Sequence, residues 1–301
     1  AGHFCPLDSV TATDNPCPKG TYYDQTDAEI DTQCLACPEG FYCPVGTGGK
    51  DLRPRFCPIA SYCPEGTADD TIQGCPAGTY SNKTRLKSDD ECTECPKGYF
   101  CPISSSMYID KPCPSGHYCP PGTESNNQFP CPAGTYMPNT LAEFIEDCLP
   151  CTRGSQCPTS GMDAPTDCGA GNYNPLLGQT GCTVCEAGYY CPSATTVDHI
   201  EAKTGFYTDT GADTPISCDQ NRFCPSNTTS QNTMNTDYLC PAGMYCPSGL
   251  GYKPNLEDNE CPVNHYCQKG ISPVPCQAGT YTELGGLEQE SECPDCPAGS
   301  Y

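Results

Sequence analysis

Five cysteine pairs are spaced as metal ligands often are, with two residues between the thiols. They are Cys34/Cys37, Cys92/Cys95, Cys148/Cys151, Cys182/Cys185 and Cys293/Cys296. That spacing suits tetrahedral zinc. Nine further pairs do not fit it. They are spaced CxxxxxC, from Cys37/Cys43 to Cys261/Cys267. The cysteines are therefore read as disulfides rather than as a zinc ribbon. Acids gather before several of them: Asp89, Asp90 and Glu91 before Cys92, Glu146 and Asp147 before Cys148, and Glu257, Asp258 and Glu260 before Cys261. Oxygen-rich clusters suit a hard cation, so calcium is the one cofactor they suggest; a solvated acidic face is the competing reading. Asn82 in NKT and Asn227 in NTT are N-glycosylation acceptors. The stretches 226–236 and 193–196, rich in Ser and Thr, could carry O-linked sugars or be plain linker. The four histidines, His3, His117, His199 and His265, are scattered. No Ser-His-Asp or Cys-His arrangement is suggested, and a cysteine held in a disulfide is no nucleophile. The sequence is not read as an enzyme.

What must position these residues is not an ordinary core. Leu, Ile, Val and Phe number 36 of 301 residues, and there is no Trp. Thirty cysteines supply covalent links in place of the missing apolar interior. Such a density needs an oxidising compartment, so an extracellular or cell-surface location is expected. The 14 Lys and Arg face 37 Asp and Glu, for a net charge of −23. No basic stripe that could bind a phosphate backbone is visible, and nucleic acid is not an expected partner. No apolar run is long enough to span a membrane. The chain opens on AGHFC and closes on CPAGSY, both like interrupted copies of one motif. It reads as a window of a longer repetitive polypeptide, with any membrane attachment outside it.

One unit recurs. Its head cysteines are Cys17, Cys37, Cys57, Cys75, Cys95, Cys113, Cys131, Cys151, Cys168, Cys185, Cys218, Cys240, Cys261, Cys276 and Cys296, mostly about 20 residues apart. A short fixed period marks a solenoid or linear array. The third residue after each head is Gly, except for Ala60, Asn221 and Asn264. Gly and Asn tolerate a left-handed backbone, so a tight turn with positive φ is expected there, with Ala60 the doubtful copy. The fifth residue is Tyr or Phe in every head but one, where Gln156 stands. An aromatic at that fixed place should cover the disulfide and turn. Two-stranded ribbons are expected just after it, as at Thr79–Asn82. The segment 140–147 is the only plausible helical turn.

Each complete unit has one second cysteine, either six residues after the head or 14 to 17 after it. At 202–207, AKTGFY keeps Gly205 and Tyr207 but has Ala202 in the head position. A unit that lost both cysteines together favours pairing within units: Cys17–Cys34, Cys75–Cys92, Cys131–Cys148, Cys168–Cys182 and Cys276–Cys293 for the long type. Two alternatives stay open. The second cysteine could bond the next head, or two short units could interlock. One disulfide stabilises such a loop by about 3 kcal/mol, too little to order twenty residues alone. Units are therefore expected to be stable only as an array. The divisions are a truncated unit at 1–16, cysteine-rich repeats at 17–191, a degenerate unit without cysteine at 192–217, repeats at 218–295 and a truncated unit at 296–301.

Residues 17–43, CPKGTYYDQTDAEIDTQCLACPEGFYC, resemble the cysteine-rich EGF-like repeat of ephrin-type receptors. Tumour-necrosis-factor-receptor modules begin similarly. DDEC at 89–92 resembles part of the calcium-binding EGF signature, whose downstream Asn and aromatic are not evident here. The resemblance covers nearly the whole chain and is degenerate around 151–160 and 192–217. It implies a small disulfide-rich fold: a linear array of about 15 EGF-like or TNF-receptor-like units forming an extracellular rod. It implies no catalytic residue. Long arrays of this kind resemble surface and ciliary-filament proteins of protists and algae. The expected function is structural, in a fibre, ciliary hair or cell-surface coat. The expected partners are further copies, other extracellular structural proteins and attached glycans. The alternative is the stalk of a receptor or adhesion ectodomain that binds a protein or glycan.

Overall fold

The computed structural model describes residues 1–7, 9–11, 13–51, 55–229 and 235–299. The chain forms two compact units. The first is 1–149 with 159–164, and the second is 150–158 with 165–301. Both are built from small cysteine-rich repeats joined by short β-ribbons. Fourteen disulfides tie the described chain, using all the cysteines except Cys5 and Cys296.

Each bond lies within one repeat. Long repeats hold Cys17–Cys34, Cys75–Cys92, Cys131–Cys148, Cys168–Cys182 and Cys276–Cys293. Short repeats bond cysteines six apart, as in Cys37–Cys43 and Cys57–Cys63. The CxxC cysteines therefore belong to different bonds: Cys34 pairs backward, and Cys37 forward. The bonded sulfurs replace a side-chain core, and Cys17, Cys37, Cys43, Cys57 and Cys75 are wholly buried.

The backbone turns where the head glycine demands it. All fifteen third positions have positive φ, from +60° at Asn264 to +95° at Gly279, with Ala60 at +62°. In Pro18–Lys19–Gly20–Thr21 the Thr21 N–H reaches the Pro18 carbonyl at 3.1 Å, and the Thr21 hydroxyl donates to the same oxygen at 2.7 Å. Gly20 is thus the third residue of a turn that needs positive φ there. Ribbons follow at once. Strand Thr79–Tyr80 pairs antiparallel with Thr93–Glu94, just before the next head. Ser61–Tyr62 pairs with Gln73–Gly74 in the same way, and Asn172–Tyr173 with Thr183–Val184. Each ribbon is too short to be stable alone.

Helix is scarce. Within 140–147 only Ile145–Asp147 winds, as one 3-10 turn. One α-helical turn escaped the periodicity reading, at Leu256–Asn259. There the Asn255 side chain caps the helix by accepting from the Asp258 N–H at 2.9 Å. A single turn offers no repeat of apolar positions to detect.

Candidate functional site

The recurring feature on which a function can be built is the junction between consecutive repeats. Four main-chain hydrogen bonds make it. Between the repeats headed by Cys37 and Cys57, Cys57 N–H donates to the Gly40 carbonyl at 3.0 Å, and Gly40 N–H to the Cys63 carbonyl at 2.8 Å. Cys43 N–H then donates to Thr67 at 2.9 Å, and Gly66 N–H back to Cys37 at 2.8 Å. The same four recur between Cys95 and Cys113: Cys113 to Gly98, Gly98 to Cys119, Cys101 to Thr123, and Gly122 to Cys95. In the second compact unit they recur between Cys218 and Cys240. The left-handed head turn makes this possible, because it points the N–H and C=O of one glycine at two places on the next repeat.

A second left-handed residue completes the junction, and the sequence reading did not see it. It has positive φ at Gly46, Gly66, Gly122 and Gly249, and also at Arg85 (+71°), Ser104 (+59°) and Leu141 (+69°). Its signal is a second copy of the head turn six residues on: CPEGFYCPVGT at 37–47 and CPSGHYCPPGT at 113–123. Each of these second turns ends in a buried residue, a hydroxyl side chain at Thr47, Thr67, Ser105 and Thr123 and an apolar one at Leu86, Ala142 and Leu250. Thr47, Thr67 and Thr123 donate to Pro44, Pro64 and Pro120, each at 2.6 Å. The short repeats headed by Cys37, Cys57 and Cys113 are therefore two like turns stapled by the cysteine that opens each.

Repeats also meet their next-but-one neighbours. A Cβ on Gly20 would lie 2.5 Å from the Gly66 carbonyl, and one on Gly78 equally close to that of Gly122. Glycine is needed there for room as well as for φ. On the surface, Lys19 pairs with Asp70, Lys87 with Glu39, and Lys97 with Glu143 at 2.6 Å. Each pair joins a residue two after a head to the repeat two further on. The Arg85 guanidinium covers Phe41 and Phe56, at 4.9 and 4.8 Å from the ring centroids. The fifth-position aromatics are mostly half-buried, and Phe223 is buried.

The acids before the second cysteines have a local task. Asp89–Glu91 is a 3-10 turn, and the Glu91 carboxylate accepts the Lys87 N–H at 2.6 Å. Asp147 accepts from Glu143 and Phe144 at 2.7 and 3.0 Å, and those N–H groups, Phe144 first, hold its pKa below the usual carboxylate value. Glu292 and Gln33 cap their turns alike. Among the described residues, no three His, Cys, Asp or Glu side chains converge as a metal site. Asn82 and Asn227 are both exposed, and Asn227 lies at a second-turn position with φ of +59°. Of the Ser/Thr-rich stretch 226–236, residues 230–234 lie outside the described chain, as does Tyr301.

The histidines lie apart. His117 and His265 sit at the fourth head position, each with Nδ1 3.0–3.1 Å from the carbonyl two residues before it. His199 contacts Tyr173 edge-on and Tyr189 at a tilt, with centroids at 4.9 and 4.1 Å. An open hollow of about 530 Å³ lies by the long loop, lined by Met137, Leu141, Glu143 and Asp147 among others. Among the described residues, no helix is long and apolar enough to cross a membrane. No protein-family model and no curated protein matches the chain.

Proposed function

We propose that the chain is a structural protein of the cell exterior, a rod-like piece of a fibre, ciliary hair or cell-surface coat. The observation that carries this reading is the junction. The same four backbone bonds join the repeats headed by Cys37, Cys57, Cys75, Cys95, Cys113 and Cys218 to those that follow them, whatever side chains these repeats bear. A protein that spends its recurring geometry on joining its own units is suited to length and resistance. Disulfides within every stapled repeat resist shear and proteolysis, and a charge of −23 keeps an extended array soluble. The disulfide density fits folding in an oxidising compartment. Glycans at Asn82 and Asn227, and association with further copies or other extracellular structural proteins, belong to this proposal. So does the kinship with EGF-like receptor repeats. No catalytic role is proposed.

Electron microscopy of native, unreduced material tests it. Long regular filaments with a repeat longer than one unit are the expected result. Single short rods ending in a globular domain would replace the structural reading with that of a receptor or adhesion stalk.

A further inference from the structure

The repeat from Ala202 to Ser217 keeps every backbone feature of its neighbours and lacks their bond. Ala202 N–H donates to Gly188 at 2.9 Å, as head cysteines do, and Cys218 N–H to Gly205 at 2.8 Å. Gly205 donates to Cys224 at 2.8 Å, Thr208 to Thr228 at 3.1 Å, and Asn227 to Ala202 at 3.2 Å. Phe206–Tyr207 pairs with Ile216–Ser217. Ala202 and Thr208 stand six apart where a short repeat has its two cysteines, and both are 0% exposed. The replacement leaves one flaw: the Thr208 hydroxyl is buried with no hydrogen-bond partner.

On either side the chain is locked, by Cys185–Cys191 and by Cys218–Cys224. Residues 192–217 are thus a run of 26 between bonded cysteines. The next longest such run between disulfides is 225–239, with 15 residues. Opening a stapled repeat still leaves its cysteine loop closed. Opening this one frees the whole run, and a loop without a cross-link gains more entropy when it opens.

We propose that the 202–217 repeat is a release segment: it opens before any stapled repeat, under heat or tension, and recloses without thiol chemistry. Opening should stop at the flanking disulfides, taking with it the ribbon strand Ile200–Glu201 of the Cys185 repeat and leaving the repeats beyond those bonds folded. The inference rests on the missing bond and not on the structural role proposed above, so either can fail alone.

Native-state hydrogen exchange on the full oxidised chain tests it. The amides of Ala202, Gly205 and Thr208, and that of Cys218 whose acceptor is Gly205, should exchange roughly 50-fold faster than those of Asn221 and Cys224, the factor given by closing a seven-residue loop. The double variant Ala202→Cys, Thr208→Cys places thiols where the sister repeats have theirs. Once mass spectrometry shows the new bond, protection at 205 and 208 should rise to the level of the next repeat. Pulling single oxidised molecules gives a second reading, independent of that variant. The first extension should add about 90 Å of contour, for 26 residues at roughly 3.4 Å each, against about 50 Å for the 15-residue linker. Equal protection in the two repeats of the natural chain would overturn the proposal. So would exchange unchanged by the new bond, or a first extension that matches a stapled linker.

Discussion

At the scale of single residues, the left-handed positions decide what the fold tolerates. Gly78 has φ of +81° and lies against the Gly122 carbonyl. Gly78→Val should cost about 2–4 kcal/mol, from left-handed strain and from the clash with a repeat two further on. The loss should appear in the repeats headed by Cys75, Cys95 and Cys113 by hydrogen exchange and leave those after Cys218 untouched. Ala60 bears the same turn with a Cβ, at φ of +62°. Ala60→Gly should therefore stabilise by about 0.5–1 kcal/mol, the relief of strain exceeding the added chain entropy. A loss of stability in thermal unfolding would contradict the strain. The head turn was legible in the sequence because Gly or Asn marks it in all but one copy. The second turn was not, because Arg85, Ser104 and Leu141 occupy it without the residue type that announces positive φ, and its distance from the head varies between nine and ten residues.

At the scale of the element, the long loop is held by its capped turn. Asp147→Ala should remove the acceptor for two N–H groups and cost about 0.5–2 kcal/mol, as lost caps do. The pH dependence has a definite sign. The folded-state pKa of Asp147 is lowered, so its contribution is complete above the unfolded value of about 4 and is lost as pH falls through the lower folded value. Urea unfolding of the natural chain should weaken across that acid window, and Asp147→Asn should remove this residue's share of the pH slope. An unchanged slope would mean that other carboxylates carry it. The charge pairs count for less. Lys97 and Glu143 are half-exposed, and Lys97→Ala should cost under about 1 kcal/mol and less still in high salt. The acidic clusters were visible in the sequence, but their use was not. A carboxylate that caps a turn and one that awaits a cation have the same spacing, and only the N–H groups around Glu91 and Asp147 tell them apart.

At the scale of the whole molecule, the cysteines do the work of a hydrophobic core. Large aliphatic residues such as Leu35, Ile103, Ile109 and Leu284 stand exposed. Reduction should therefore abolish the folded state. A cooperative thermal transition surviving in reductant, followed by circular dichroism, would show a core that the buried residues do not reveal. The array, its ribbons and the sparse helix were all readable from the period and from the paucity of apolar residues. The contacts between next-but-one repeats were not, because they depend on how the chain winds. No local pattern records that Gly20 will lie under Gly66 or Lys19 beside Asp70.

The junction has a practical corollary. It is a standard coupling, made of backbone amides and of two turns that most repeats contain. Excising Cys95–Pro112 would join Glu94 to Cys113 and present Gly78 with another Gly-and-cysteine partner, so the four bonds could form again with Cys119 and Gly122 in place of Cys101 and Ser104. The parts are interchangeable, and the length of such a chain is set by how many are strung together rather than by any one of them.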